Sequence, residues 1–477
     1  MKWRLFLIII PTAVWLGGSI GLAEEPEDPT ELRRELAEER ALLEEQMRQL
    51  ERQMERIDEL ERRLEATLGE QQVTADTSES EADETTVAAL PPLEHEPVVG
   101  VSPREELYGT FSDVGFAKSV PLFGSDWRFS FGGYAKLDVI GDFSGTGDEL
   151  QFVTATIPVN EVPQQGSYSK IHARETRFGF ETRNTREGLP FNKAYIEMDF
   201  FDENNTAPRL RQAYFQWGNL LGGQTWTTLT QLDMLPFLLD FAYGDALFGG
   251  RQALLRWEKT TSDRFSWAVA LEDWTDDAIE NTFDVPGTAR YTIPLVALRG
   301  SYKWGGGNGF IGGSLSQLRW DGADGVPDDT APAWALVTAW RLSVGSAGES
   351  YLGLGGSIGD GAGANAINLI EGGQANAVLL PDGTLETMLF WNAQASLHYE
   401  FSAAWSTNLS FAWGALDPVP LRSPESLKAS GAAHLNLIYT LAPEFLVGIE
   451  FMSGRRVNTD GEEGDAQRVQ FSAMYSY

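Results

Sequence analysis

The sequence predicts an all-β transmembrane protein: a 16-stranded antiparallel outer-membrane β-barrel preceded by an N-terminal α-helical coiled coil. Three observations lead to this fold class. Segments of alternating apolar and polar residues repeat through the C-terminal three quarters of the chain, an apolar residue recurs every seven positions nearer the start, and the first residues have the composition of an export signal.

The last ten residues, RVQFSAMYSY, carry the barrel pattern most clearly. Val469, Phe471, Ala473, Tyr475 and Tyr477 occupy alternate positions, and the chain ends on an aromatic residue. Successive side chains of a strand point to opposite faces, so one face of this segment is apolar. A soluble strand packed on a core would alternate in the same way, and it is the repetition along the chain that favours a membrane barrel. The terminal aromatic resembles the signal read by the outer-membrane assembly machinery, which is therefore an expected partner.

Residues 1–23 are predicted to be a cleavable secretory signal. Lys2 and Arg4 precede an apolar run, and small residues follow up to Ala23. An N-terminal membrane anchor is the alternative, but the run is short and Pro11 interrupts it. No later run of about 18 apolar residues follows, so any membrane crossing must use strands. The net charge of -33 argues against nucleic acid as a partner, because phosphates are bound by clustered Lys and Arg.

Residues 24–69 are predicted to form a periplasmic coiled coil. Apolar residues recur every seven positions, and others four residues later complete the seam of a left-handed supercoil. A single charged helix stabilised by Glu and Arg pairs is the alternative, and the seam suits a dimer as well as a trimer. The expected oligomerisation residues are Leu36, Leu43, Met47, Leu50, Met54, Ile57 and Leu64. Residues 70–120, which lack an apolar period and are rich in Glu, Thr, Ser, Ala and Pro, are predicted to be a flexible acidic linker.

Residues 121–477 are predicted to form the barrel, because the period changes to two and sixteen segments of this kind follow Trp127. The connections alternate in length: residues 305–308 and 441–444 are short joins, whereas residues 144–169 and 361–383 are long. An even-stranded barrel with both termini in the periplasm requires this alternation, and a soluble sandwich would not combine it with an export signal. Aromatic residues near the short turns are expected to contact outer-membrane lipid at the interface: Trp217, Trp257, Trp304, Trp405 and Tyr477.

The sequence shows no catalytic constellation. Its four histidines are far apart, and it contains no GxSxG, HExxH, phosphate-loop or dinucleotide motif. We therefore expect a pore and not an enzyme, with no cofactor and no metal site.

Arginines in the strand segments are the candidate pore-lining residues. Arginine grips carboxylate groups with paired donors, and charges on the inner face of a barrel set its selectivity. Ion pairs that merely stiffen the wall are an equally good explanation for any one of them. Alternation favours an inward direction for Arg177, Arg299 and Arg341. The direction of Arg209 and Arg211 is unsettled, because they share parity with Phe215 and Trp217. Arg251 is the remaining candidate pore-lining arginine.

Residues 227–250 form an unusually apolar and aromatic connection. An apolar outer loop exposed to water would be a liability, so this loop is expected to fold inward or to pack at a subunit contact. If it folds inward, it narrows the lumen and places Asp233 and Asp240 opposite the strand arginines.

Four motifs resemble the DcaP-like family of trimeric outer-membrane porins. They are RFGFETR from Arg177, MDFF from Met198, RLRQAYFQWG from Arg209 and GGQTWTTL from Gly222. The resemblance implies a homotrimeric 16-stranded diffusion channel with a periplasmic coiled coil that passes small organic anions such as dicarboxylates. It would place Arg177, Arg209 and Arg211 in the basic lumen lining and residues 227–250 at the constriction, whereas the overall acidity departs from a simple anion-attracting surface.

Three functions are compatible with the sequence. The first is an outer-membrane porin that passes small hydrophilic solutes, with small organic anions as its partners. The second is a carbohydrate-type porin, since aromatic lumens and coiled coils also occur together in sugar channels. The third is a structural protein that tethers the envelope through its coiled coil and uses the barrel as an anchor.

Overall fold

The computed structural model describes residues 116, 119–122, 126–160, 166–186, 188–201, 207–242, 246–273, 278–290, 292–345, 350–369, 375–417, 419 and 421–477. The predicted signal (1–23), the predicted coiled coil with its seam (24–69) and nearly all of the predicted linker (70–120) lie outside these residues. Within the described part of the chain, no helix has the length and apolar content needed to cross a membrane.

Sixteen antiparallel strands form the barrel. In chain order they are β1 (Trp127–Ser144), β2 in two parts (Tyr168–His172 and Arg177–Asn184), β3 (Asn192–Asp199), β4 (Arg209–Trp217), β5 (Leu220–Trp226), β6 (Arg251–Ser262), β7 (Phe265–Glu272), β8 (Leu295–Trp304), β9 (Gly307–Gly322), β10 (Asp329–Ser343), β11 (Tyr351–Asp360), β12 (Leu389–Ser402), β13 (Trp405–Leu416), β14 (Leu427–Ala442), β15 (Phe445–Asn458) and β16 (Glu463–Ser476).

The barrel closes between its first and last strands. β1 pairs with β16, where Leu137 lies opposite Ala473, and with both parts of β2. Every other strand pairs with its neighbours in the chain. The prediction of a 16-stranded antiparallel barrel is therefore confirmed.

The two faces of the wall differ as the alternation predicts. Outward side chains such as Ile311, Leu315 and Phe411 are more than half exposed, whereas inward Glu197 and Arg468 are buried. An apolar outer band is what a hydrocarbon environment requires of a barrel.

Shorter elements lie in the connections. Val120–Pro121 pairs with β1 and Gly287–Ala289 pairs with β9. Ile279–Glu280, Ala377–Leu379 and Leu385–Thr387 form a separate three-stranded sheet. Single 3₁₀ turns occupy Thr154–Thr156, Leu232–Met234, Gly363–Asn365 and Ile367–Leu369.

The long connections fold into the barrel and not away from it. Residues 227–250, called here the inner loop, contribute Leu235 and Leu239 to a buried apolar cluster. The same cluster contains Phe310 and Ala335 of the wall and Val378 of the small sheet. The core of the molecule therefore lies within the barrel, between the inner wall and the loops that enter from the long-loop end.

Candidate pore and its constriction

A β-bulge turns two arginines of β4 toward the lumen. Glu197 of β3 pairs with Gln212, but the next residue, Met198, pairs with Leu210, so Arg211 is an extra residue. Leu210 is exposed on the outer face. A bulge shifts the alternation by one residue, so Arg209 and Arg211 can both point inward although they share parity with outward residues further along the strand.

The bulge assembles a charged cluster on β2 to β4. Arg209 makes a bidentate pair with Asp199, with Nε–Oδ1 of 3.0 Å and Nη2–Oδ2 of 2.9 Å. Arg211 donates to Glu197 at 2.8 Å and to Asp199 at 2.7 Å, and Arg177 Nε lies 4.0 Å from Glu197. The side chain of Arg209 is 35% exposed, whereas those of Arg211 and Arg177 are almost wholly buried. Of these three arginines, Arg209 is therefore the one that a solute can reach.

The inner loop follows the inside of the wall around the barrel. Successive residues of the loop hydrogen-bond to successive strands, which fixes the loop at many points on the wall. Thr228 contacts Arg256 on β6, Glu272 on β7 and Arg299 on β8, and Gln231 contacts Thr338 on β10 and Gly356 on β11. Met234 contacts Ser396 on β12, and Phe237 contacts Asn408 on β13 and Asn436 on β14. Leu239 contacts Glu450 on β15, Gln470 on β16 and Lys136 on β1.

Phe241, further along the inner loop, lies beside the charged cluster of β2 to β4. Its ring stacks on Phe201, with centroids 4.0 Å apart, and faces the guanidinium groups of Arg209 and Arg211 at 5.3 and 5.5 Å. Contacts of cations with aromatic faces add attraction to the ion pairs. The inner loop therefore narrows the lumen from all around its wall.

Buried polar side chains of the wall hold the backbone of the inner loop. Asn408 accepts from Phe237 N at 3.1 Å, and Asn436 donates to Phe237 O at 2.8 Å. Glu450 accepts from Leu239 N at 2.6 Å. Buried backbone groups need hydrogen-bond partners, and these side chains supply them. Their place in the lumen is therefore explained by loop anchoring and not by solute contact.

Asp240, which the sequence places at the constriction, is wholly buried. It accepts from Phe152 N at 3.0 and 3.2 Å and from Ala242 N at 2.9 Å, and one oxygen lies 3.9 Å from Arg468. Burial raises the pKa of Asp240 to about 7, against the opposing field of Arg468. Asp240 thus joins the β1–β2 connection to the inner loop, away from solvent.

Asp233 and Arg299 face each other where water can reach them. Their side chains are 55% and 26% exposed, and Arg299 Nη2 lies 3.9 Å from Asp233 Oδ2. Asn308 donates to the same carboxylate at 3.0 Å. The guanidinium of Arg299 lies 4.2 Å from the centroid of the Phe310 ring and donates to Thr228 O at 3.3 Å. This pair is an accessible charged contact between the inner loop and the wall.

The remaining two arginines predicted for the pore have different positions. Arg341 is partly exposed, shares the inward parity of Asn308 and lies 4.0 Å from the centroid of the Tyr351 ring. Arg251 pairs with Trp226 and shares the parity of the outward residues on its strand; its guanidinium lies 4.9 Å from the Trp226 ring centroid. We therefore do not include Arg251 in the candidate pore.

Two further cations point inward: Lys193, which the reasoning from sequence missed, and Arg256, which belongs to the arginines of the strand segments. Lys193 of β3 lies 5.4 Å from the Tyr214 ring centroid, and Arg256 of β6 donates to Thr228 Oγ1 at 2.9 Å. Both lie toward the short-turn end, and both are partly exposed. Alternation with their exposed neighbours, Ala194 and Trp257, would have identified both as inward.

The barrel resembles outer-membrane channels of known structure. The DcaP outer membrane channel of Acinetobacter baumannii matches with a TM-score of 0.64 and 18% identity, over 75% of this chain and 99% of that chain. OmpF of Salmonella typhi, in complex with daunomycin, matches with a TM-score of 0.48 and 11% identity, over 75% and 100%. OprB of Pseudomonas putida gives 0.45 and 10%, over 73% and 94%.

The likeness to DcaP confirms, at the level of the fold, the resemblance seen in the sequence motifs. No protein-family model matches the chain, and no curated protein matches its sequence.

Proposed function

We propose that this protein is an outer-membrane diffusion channel for small hydrophilic solutes and that small organic anions, such as dicarboxylates, are its preferred cargo. The apolar outer face and the fold shared with the DcaP channel support the membrane location. In this orientation the short turns lie in the periplasm, and the N-terminal segment would extend there as a coiled coil.

The observation that carries the anion preference is the pair of accessible arginines beside the inner loop, one of which, Arg209, pairs only with a buried carboxylate. Arg209 and Arg299 keep 35% and 26% of their side-chain surface exposed. Asp199, the carboxylate that pairs with Arg209, is buried by its partners. Water-accessible charge acts on a passing solute, whereas a buried and paired charge acts mainly on the wall.

Asp233 is the exposed acidic residue that opposes the positive charge of Arg299 at this site. Its exposed carboxylate lies opposite Arg299, so a solute passing between them meets both signs of charge. Such a transverse field favours small dipolar anions, which can accept from the arginine while their other end avoids the carboxylate.

The protein is further proposed to act as a homotrimer that the outer-membrane assembly machinery inserts. The terminal aromatic residue and the predicted coiled coil support these proposals, and the absence of a catalytic motif in the sequence supports a channel and not an enzyme.

The test is reconstitution of the purified mature chain in planar bilayers. Reversal potentials under a salt gradient, first with chloride and then with a dicarboxylate, give the ion preference. We expect anion selectivity and triplet conductance steps. Cation selectivity would overturn the proposed cargo, and a barrel that does not conduct would overturn the channel itself.

A competition experiment separates the remaining functions. Block of the chloride current by a dicarboxylate but not by an oligosaccharide supports an organic-anion channel. The reverse pattern supports a carbohydrate porin. Loss of envelope integrity on deletion of residues 31–68, in a protein with no measurable conductance, supports a tether.

A further inference from the structure

A buried carboxylate joins two loops that leave the barrel far apart. Glu280 belongs to the β7–β8 loop (residues 273–294), and Arg422 belongs to the β13–β14 loop (residues 417–426). Arg422 Nε donates to Glu280 Oε2 at 2.9 Å, and both side chains are almost wholly buried. Ser423 N and Ser426 Oγ donate to the other oxygen at 3.2 and 2.9 Å. Both oxygens of Glu280 are therefore held by the β13–β14 loop.

The strand order shows how far this contact reaches. The two loops leave the same end of the barrel, but β13 stands six strands beyond β7 around the sixteen-stranded wall. With strands about 4.8 Å apart and tilted by about 40°, the barrel is about 30 Å across. Two points on the wall that are six strands apart are therefore separated by most of that diameter. Arg422 also donates to Leu427 O at the start of β14, so it stays beside the wall. The β7–β8 loop therefore crosses the mouth to meet it.

The middle of this crossing is a small sheet. Ile279–Glu280 pairs in parallel with Ala377 and Val378 of the β11–β12 loop (residues 361–388), and Ala377–Leu379 pairs with Leu385–Thr387. Ala377, Val378 and Leu379 are fully buried. The residues of these three loops that the structure describes are together called here the roof.

The two sides of the roof are held by different chemistry. On the β9 and β10 side, Leu379 packs with Val285 and Trp320, and Leu385 N donates to Asp329 Oδ2 at 2.7 Å. On the β13 and β14 side, polar groups converge on Glu280. On the same side, Asn368 of the β11–β12 loop donates to Ser430 O of β14 at 3.0 Å and accepts from Ser430 Oγ. Removing one partner of a buried ion pair leaves the other uncompensated, which makes such a pair a sensitive point.

From this arrangement we propose that the roof sets the upper size limit of solutes entering the channel and that the Glu280–Arg422 pair is the latch that holds the roof across the mouth. The inference rests on the proposed channel function. It assigns the size limit to the long-loop end, and it assigns charge preference to the constriction that the inner loop forms with the wall arginines.

The experiment measures swelling of proteoliposomes in a series of neutral sugars, from a monosaccharide to a tetrasaccharide. Neutral probes keep the size limit separate from any anion preference. Glu280→Gln and Arg422→Gln are compared with the natural protein and with Arg455→Gln. Arg455 pairs with Glu463 and Asp465 at the same end of the barrel, but these residues lie on the adjacent strands β15 and β16. The control therefore loses an ion pair that does not cross the mouth.

We expect monosaccharide rates to stay equal in all four proteins and the rates of the larger sugars to rise severalfold in the two latch variants alone. The exchanged pair, Glu280→Arg with Arg422→Glu, should return the size limit toward that of the natural protein. An unchanged size limit in latch variants that migrate as folded barrels would overturn the latch. A natural protein that passes no sugar, and no ion in bilayers, would overturn the channel function and the latch with it.

Protease sensitivity gives a second readout that does not depend on transport. Trypsin cleaves after arginine, and the buried Arg422 should be protected in the latched roof. We expect cleavage after Arg422 in Glu280→Gln proteoliposomes and resistance in the natural protein. Equal resistance in both would show that the roof does not depend on this pair.

Discussion

Arg209 and Asp199 form a bidentate ion pair in which the two partners differ in exposure. Asp199 is buried and also accepts from Arg211 at 2.7 Å, whereas a third of the Arg209 side chain remains open to water. One buried carboxylate therefore orients an arginine that can still bind a solute. The same pair fixes the end of β3 against the start of β4. The Arg209–Asp199 pair therefore stabilises the wall and also presents an arginine to the solute.

Neutralising Arg209 is expected to weaken anion preference while the barrel stays folded. Arg209→Gln removes an accessible positive charge, and Asp199 keeps its contact with Arg211. Reversal potentials under a salt gradient should shift toward zero. Arg455→Gln is the control, because it removes an exposed arginine at the long-loop end that lies away from the inner loop. Equal reversal potentials for Arg209→Gln and the natural protein would show that Arg209 does not select ions.

Neutralising Arg211 should instead destabilise the wall. Arg211→Leu leaves Glu197 and Asp199 without their shared buried donor, and loss of one member of a buried ion pair costs about 3–5 kcal/mol. The temperature at which the folded band disappears on unheated gel electrophoresis should fall. Arg209→Gln gives the comparison on the same carboxylate, and its smaller effect follows from its exposure. An equal fall in both variants would contradict this division of roles.

The strands could be predicted from sequence because the relevant signal is local. An outward face such as Val469, Phe471 and Ala473 follows from a period of two within one segment. The direction of Arg209 and Arg211 could not be predicted in this way. It depends on a bulge that appears only when β3 and β4 are in register, with Glu197 opposite Gln212.

The burial of the predicted pore residues depends on contacts between distant parts of the chain. Asp240 accepts from Phe152, 88 residues away, and lies beside Arg468 on the last strand. Alternation gives the direction of a side chain in a strand but carries no information on which loop later covers it. For the same reason the latch between Glu280 and Arg422 has no signature in the sequence: its residues lie in connections without a period.

Gly353 on β11, which has no Cβ, leaves room for the backbone of the inner loop. A Cβ added at Gly353 would lie 2.0 Å from Met234 O, so Gly353→Val should push the loop off the wall and into the lumen. We expect a severalfold drop in single-channel conductance, with little change in insertion. Gly250→Ala is the matched control, because nothing lies within 4 Å of its added Cβ. Natural conductance in Gly353→Val would show that the loop yields without narrowing the path.

Acid should open the roof through Glu280. Burial alone would raise the pKa of this carboxyl, but hydrogen bonds and the charge of Arg422, with donors from Ser423 and Ser426, outweigh it and hold the pKa below the ordinary 4.5. Thr282 of its own loop donates as well, and Arg422 is the charged group that faces it. A carboxyl whose pKa is lowered in the folded state contributes its full stabilisation of that state above pH 4.5. This stabilisation is lost as the pH falls through the lowered pKa of the folded state.

The size limit for neutral sugars should therefore be constant from neutral pH down to about pH 5 and should rise in stronger acid. Glu280→Gln provides the control, since it has no proton to gain at this position, and its raised size limit should stay constant in the stronger acid as well. If the natural protein and Glu280→Gln show the same acid response, a group other than Glu280 controls the mouth.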